Sequence, residues 1–180
     1  MFRVPWQKLE GTRCIAVNNS YQIAPWSEVI WFSDKKWWDW HKEKLMNVPM
    51  KISTCCEHRE VLKYSHLSFY RRDLKQRYGI SKREGFISWN GSSGAAAINL
   101  AYHMGAKTVV LLGFDMRRVE GEKNWHSDHR ENPNGNPFSR HLKAFPYIKK
   151  DALDLDLSIL NATPDSAIAS FPFVSLEDLL

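Results

Sequence analysis

Five short apolar or β-branched runs, separated by stretches of helical period, constrain the fold of this chain more than any other feature. Residues 13–18 (RCIAVN), 29–33 (VIWFS), 50–54 (MKIST), 108–113 (TVVLLG) and 157–161 (LSILN) have the length and residue types of β-strands. The fourth run lacks polar alternation, as expected of a central strand buried on both faces. Between the runs the period changes. Residues 36–46 follow Asp34, a suitable N-cap, and residues 93–104 place Ala97, Leu100, Ala101 and Met104 on one face, with Gly105 as a C-terminal stop. Strands alternating with helices form βαβ units, because parallel neighbours need a crossover connection. The expected fold is α/β, a Rossmann-like, mostly parallel sheet with helices on both faces, in a single domain spanning residues 1–180.

At 180 residues, 43% of them hydrophobic and 25% charged, the chain has the composition of such a domain. A chain of this length buries roughly 70% of its unfolded surface, so it needs neither a disulfide nor a structural metal to hold a core. Its 3 cysteines, Cys14 and the adjacent Cys55 and Cys56, are odd in number and suit a reducing compartment. No stretch approaches the roughly 18 apolar residues of a membrane span and no leader pattern opens the sequence, so a cytoplasmic location is expected. The net charge of +5 gathers between Lys63 and Arg83, where Arg71, Arg72, Lys75, Arg77, Lys82 and Arg83 stand. Such a patch can face nucleic-acid phosphate, but a solvated helix face is the favoured reading. Of the 8 tryptophans, Trp31, Trp37, Trp38 and Trp40 lie within ten positions; core packing is favoured over a stacking platform for a base or sugar.

In open α/β sheets the ligand lies beyond the carboxyl ends of the strands, where loops converge and helix N-termini present their amides. The first run ends in Asn18, Asn19 and Ser20, the second in Ser33 and Asp34, and the fourth in Gly113, Phe114 and Asp115. Trp89-Asn90-Gly91-Ser92-Ser93-Gly94 precedes the second helix as a turn that permits close backbone approach and opens an anion site; the alternative is an N-cap with a tight turn. It is not a P-loop, since no lysine follows the glycines, and a dinucleotide fingerprint is absent too. Residues 117–137 form one long irregular stretch. It carries Asn124-Trp125-His126-Ser127-Asp128-His129, two imidazoles that can exchange a proton near neutrality or stand as incidental surface residues. With Asp115 the cluster has metal-ligand chemistry but no third firm ligand, so no metal site is assigned.

Together, Ala16-Val17-Asn18-Asn19, the Trp89–Gly94 turn running into AAAINLAYHMGAKTVVLLGFDM, Trp125-His126-Ser127-Asp128-His129 and Asn161-Ala162-Thr163-Pro164-Asp165-Ser166 resemble one family. The order is similar to phage-encoded proteins often labelled norphogenetic, in a broader group with the bacterial family 42 sialyltransferases and the archaeal-type 6-hydroxymethylpterin diphosphokinases. Resemblance to the phage proteins covers nearly the whole chain; that to the sialyltransferases rests on short motifs. It implies a nucleotide-binding, glycosyltransferase-like protein of the host cytoplasm that transfers a group from a nucleotide-activated donor, such as a nucleotide-sugar, to a hydroxyl. It implies further that Asn18 or Asn19, Asn90, Ser93, Gly94, Gly113 and Asp115 line the nucleotide pocket, with His129, or failing that His126, as base. Those families open with a strand and a Gly-x-Gly-Pro-Ser-like loop, and this chain starts after the point where they should stand. Three alternatives remain. One is a diphosphokinase-like enzyme using ATP and Mg²⁺ held by Asp115 and Asp128, another a non-catalytic nucleotide-binding or interaction protein of a phage, and the third a nucleic-acid binder.

Overall fold

The computed structural model describes residues 6–122, 125, 126, 128 and 136–180. Every ladder between its strands is parallel. β1 (Ile15–Val17), β2 (Val29–Phe32), β3 (Lys51–Thr54) and β4 (Ser68–Phe69) form one sheet in that order; β5 (Arg71–Arg72) pairs with β6 (Phe86–Ile87), and β7 (Thr108–Leu111) with β8 (Ser158–Asn161). Among the described residues four α-helices accompany them: α1 (Lys35–Leu45), α2 (Ser93–His103), α3 (Phe138–Leu142) and α4 (Phe145–Asp154). The molecule is thus α/β with parallel strands, but the described strands fall into three small sheets. No helix among the described residues is long and apolar enough to cross a membrane.

The strand buried on both faces is β2, not the one read as central from the sequence. Val29, Ile30, Trp31 and Phe32 are all buried. Ile30 and Phe32 pack against Trp37, Trp38 and Leu45 of α1, while Val29 and Trp31 pack against Ala96, Ala97 and Leu100 of α2. Covering on both sides explains why VIWF lacks polar alternation. β7, by contrast, pairs only with β8 among the described residues, and Thr108 and Val110 are exposed. Its unbroken apolar run has another cause: Val109 and Leu111 join a core with residues of α2 and α4, and the whole strand borders an open cleft.

Both principal helices are capped as their sequences require. Asp34 accepts the Trp37 amide at 2.8 Å, and Ser92 accepts the Ala95 amide at 3.2 Å, so α2 begins one residue after its cap. Gly105, at φ +84°, ends α2 as expected. α2 is apolar on more than one side because it packs on two cores at once. Ala95 and Ile98 join Leu111, Phe145, Ile148 and Ile159, while Ala96, Ala97 and Leu100 join β2. It therefore bridges the four-stranded sheet and the β7–β8 pair, which share no ladder.

Three of the four clustered tryptophans, Trp31, Trp37 and Trp38, are core residues, and Trp40 is partly exposed. The basic segment between Lys63 and Arg83 is not a helix face: it consists of turns and the short strands β4 and β5. Arg72 turns inward, donating to Cys55 O at 2.9 Å and Ser33 O at 2.8 Å, and Arg83 meets the buried Asp73 carboxylate at 3.2 Å. All three cysteines are free thiols, and burial pushes that of Cys55 up to about 11.

Candidate functional site

A cleft of about 1700 Å³ lies between β1 and β7, with α2 along its length. At one end it gathers the residues that follow β1, β2 and β7 together with the first turn of α2. Asn18, Asn19, Ser33, Asp34, Ser93, Gly94, Gly113 and Asp115 all line it, although β1 and β7 belong to different sheets. Two bonds fix the helix end here: Trp31 Nε1 donates to Ser93 O at 3.0 Å, and the hydroxyls of Ser33 and Ser93 are bonded to each other. Ser92 takes the Ala95 amide, so Ser93 and Gly94 contribute the first-turn amides for which the helix has no carbonyl. Gly94 is close-packed, since a Cβ added there would stand 3.0 Å from the Phe114 ring.

The loop after β7 is held from the far side. Phe114 N donates to Thr163 Oγ1 at 3.0 Å, Ser166 Oγ donates to Phe114 O at 2.6 Å, and Ala167 N donates to Asp115 O at 2.9 Å. The late Asn161–Ser166 motif is therefore a brace for Gly113–Asp115. Asn161 starts it by accepting the Thr163 amide at 3.0 Å. Among the described residues, two buried acceptors in the cleft lining have no hydrogen-bond partner: Asn18 Oδ1 and Asp115 Oδ1. Burial raises the Asp115 carboxyl above the ordinary aspartate range, and the nearby Arg117 partly opposes that.

Two asparagines read as ligands have their amides engaged within the protein. Asn90 is fully buried, outside the cleft. Its Oδ1 accepts the Gly79 amide at 2.8 Å, and its Nδ2 donates to Gly79 O at 2.9 Å and Ser88 O at 3.0 Å. With φ +59° at Asn90 and +74° at Gly91, the turn takes the left-handed conformations these two residue types tolerate. Asn19 borders the cleft but is 1% exposed; it accepts from Trp37 Nε1 at 2.7 Å and donates to the Asp128 carboxylate.

That last bond ties Asp128 to the end of β1. Asp128 also stands 3.7 Å from Nε2 of the buried His41, which stacks on Trp37 at 4.6 Å and shares a 3.0 Å bond between its Nδ1 and the Tyr21 hydroxyl. His126, half-buried, lines the cleft beside Trp125. His129, Asn124 and Ser127 lie outside the described residues. No group of three or more histidine, cysteine or carboxylate side chains arranged to hold a metal occurs among the described residues.

Other residues of the lining were not read as ligands from the sequence. Trp89 lies under the Arg72 guanidinium at 4.8 Å, fixing one wall. His141, on the short α3, lines the opposite side; burial first, and the adjacent Arg140 second, lower it to about 4, so it is neutral at pH 7. Nothing in the local pattern around residue 141 distinguishes it from a surface histidine. No protein-family model, curated protein or solved structure matches the chain.

Proposed function

We propose that this chain binds a nucleotide at the Ser93 end of the cleft and that the bound nucleotide is the activated donor of a glycosyltransferase-like reaction, on a Rossmann-like α/β scaffold. The observation that carries the reading is the pair of buried, unpartnered acceptors, Asn18 Oδ1 and Asp115 Oδ1, lining the same cleft as the first turn of α2. Buried acceptors without donors cost roughly 1–3 kcal/mol each, a cost a ligand that donates can recover. Ribose hydroxyls are such donors, and a carboxylate beyond a strand end suits them. The phosphates then fall to the Ser93 and Gly94 amides, where the positive end of the α2 dipole favours negative charge. This division of labour matches a nucleoside mono- or diphosphate: acceptors for the sugar, amides for the phosphate.

A transfer step needs a base for the acceptor hydroxyl. His126 borders the cleft, and His129 follows in sequence Asp128, whose carboxylate accepts from Asn19 at the end of β1. The Mg²⁺-dependent diphosphokinase alternative would require Asp115 and Asp128 to share an ion, whereas Asp128 Oδ2 already accepts from Asn19. Donor turnover tests the reading. With CMP- and UDP-activated sugars as donors, His129→Ala or His126→Ala lowers turnover by about 10²- to 10⁴-fold, the usual contribution of a positioned base, while nucleotide affinity is kept. Unchanged turnover in both variants would leave the histidines as loop residues and turn the proposal into one of binding alone.

A further inference from the structure

Among the described residues β1 and β7 each use one edge: β1 pairs only with β2, and β7 only with β8. Their other edges border the same cleft along their whole length, residues 13–18 on one side and 108–113 on the other. α2 packs beside both strands and lines the cleft with Ala97, Ile98, Ala101 and Met104. The carboxyl ends of both strands reach the first turn of α2, since Asn18 and Asp115 line that end of the cleft and Phe114 packs on Gly94. The two open edges thus run in the same direction.

Backbone alternation shows which groups face this space. Cys14 O accepts from Glu28 N at 3.0 Å, and Lys107 O and Leu111 O accept from Ser158 N and Ala162 N at 2.9 and 3.0 Å. With a period of two, the peptide groups of Ile15 and Val17 and those of Thr108 and Val110 point away from their ladders and toward the cleft. Val110, in the middle of an apolar strand, is 36% exposed. An open edge is a template for another strand. Here two parallel templates face each other over an apolar floor.

The volume agrees. A rise of 3.3 Å, a spacing of 4.8 Å and a layer of 10 Å give a strand residue about 160 Å³, so five or six residues occupy about 800–1000 Å³. Small-ligand pockets hold about 300–1000 Å³, and the cleft, at about 1700 Å³, has room for a strand and a ligand together. At about 100 Å² per buried aliphatic side chain, the three of six side chains that face this floor bury about 300 Å² of their own and as much of the cleft. That total of about 600 Å² is the scale of a weak, transient contact, to which the hydrogen bonds of two strand edges add.

We propose that the slot accepts an extended, uncharged, apolar segment of another polypeptide as a parallel strand bonded to β1 and β7 at once, joining the two sheets. A second copy of this chain does not fit as well. Its strand-forming runs are already laddered, and two-fold pairing through β7 would be antiparallel and would cover one edge only. The incoming segment would end beside Ser93 and Asp115, below the nucleotide position, so it does not depend on the nucleotide reading.

Amide hydrogen exchange on the full chain tests this, using a panel of capped heptapeptides with lysine at both ends and five valines and isoleucines in varied order. The expected result is at least tenfold slower exchange at Ile15 or Val17 together with Thr108 or Val110, on one and the same peptide. Val110→Pro removes a slot-facing N–H and spares the ladder to β8, and Ala101→Phe fills the floor; each abolishes the slowing. If circular dichroism shows Val110→Pro unfolded, Ala101→Phe decides alone. Slowing at one edge only, slowing that survives Ala101→Phe, protection of β7 alone with dimer formation, or no slowing with any peptide overturns the proposal.

Discussion

Asn90 and Asn18 are the same residue type in the same backbone conformation, φ +59° and +50°, yet replacing each with glycine should give opposite results. Glycine removes the amide and keeps the left-handed turn free of strain, so the comparison isolates hydrogen bonding. At residue 90 the substitution strands the Gly79 amide and the carbonyls of Gly79 and Ser88 in a fully buried position. At about 1 kcal/mol for each of three bonds, and more where water cannot enter, Asn90→Gly costs about 3–4 kcal/mol. Against a total stability of about 5–15 kcal/mol that is a large fraction. For a chain of this length it lowers Tm by about 6–16 °C. Alanine instead of glycine adds roughly 1 kcal/mol for the left-handed conformation. At residue 18 the buried Oδ1 has no partner among the described residues, so Asn18→Gly removes that cost, stabilises the ligand-free chain by about 1–3 kcal/mol and loses nucleotide binding instead. Urea denaturation followed by circular dichroism gives both values, the midpoint shift multiplied by the common slope. A cost below about 1 kcal/mol for Asn90→Gly would refute the assignment of Asn90 as a structural residue.

Two further outcomes follow from the same geometry. His141 has a folded pKa of about 4, below its unfolded value, so protons bind the unfolded chain first. Stability should fall as pH drops from about 6.5 toward 4, and His141→Gln should recover about 1 kcal/mol of that loss, allowing for solvent screening; identical pH profiles for the two proteins would contradict it. Asn19→Ala leaves Trp37 Nε1 without its acceptor and releases Asp128, costing about 2–3 kcal/mol by thermal unfolding and increasing protease cleavage within residues 117–137. A cost below about 0.5 kcal/mol with unchanged cleavage would show that the pair does not hold the loop.

Much of the fold was legible because its signals are local. Each of the five runs contains an observed strand, and Asp34 and Gly105 mark helix ends through residue types that cap by their own geometry. What was not legible depends on partners distant in sequence. TVVLL reads as central because apolar strands usually are, and nothing within it reveals that its second edge is open. VIWF has the same pattern and is central because α1 and α2 arrive on opposite faces. At the site, Asn18, Ser93 and Asp115 follow from the rule that ligands lie at the carboxyl ends of strands. Asn90 lies in the same motif, but a contact with Gly79, eleven residues earlier, turns its amide inward. His41 and His141 could not be singled out, since their surroundings are assembled by Asp128 and by the cleft wall.

The central claim is that the Ser93 end of the cleft binds a nucleotide through Asn18 and Asp115. A thermal-shift series with CMP, CDP, UDP, GDP and ATP, with and without Mg²⁺, measures it on the parent chain beside Asn18→Gly and Asp115→Asn. A ligand at 100 times its Kd adds about 2.7 kcal/mol to the native state. For a chain of this length that raises Tm by about 5–11 °C. The account predicts such a shift for at least one nucleotide, reduced to within about 1 °C in both variants. No shift with any nucleotide, or the same shift in all three proteins, would contradict it.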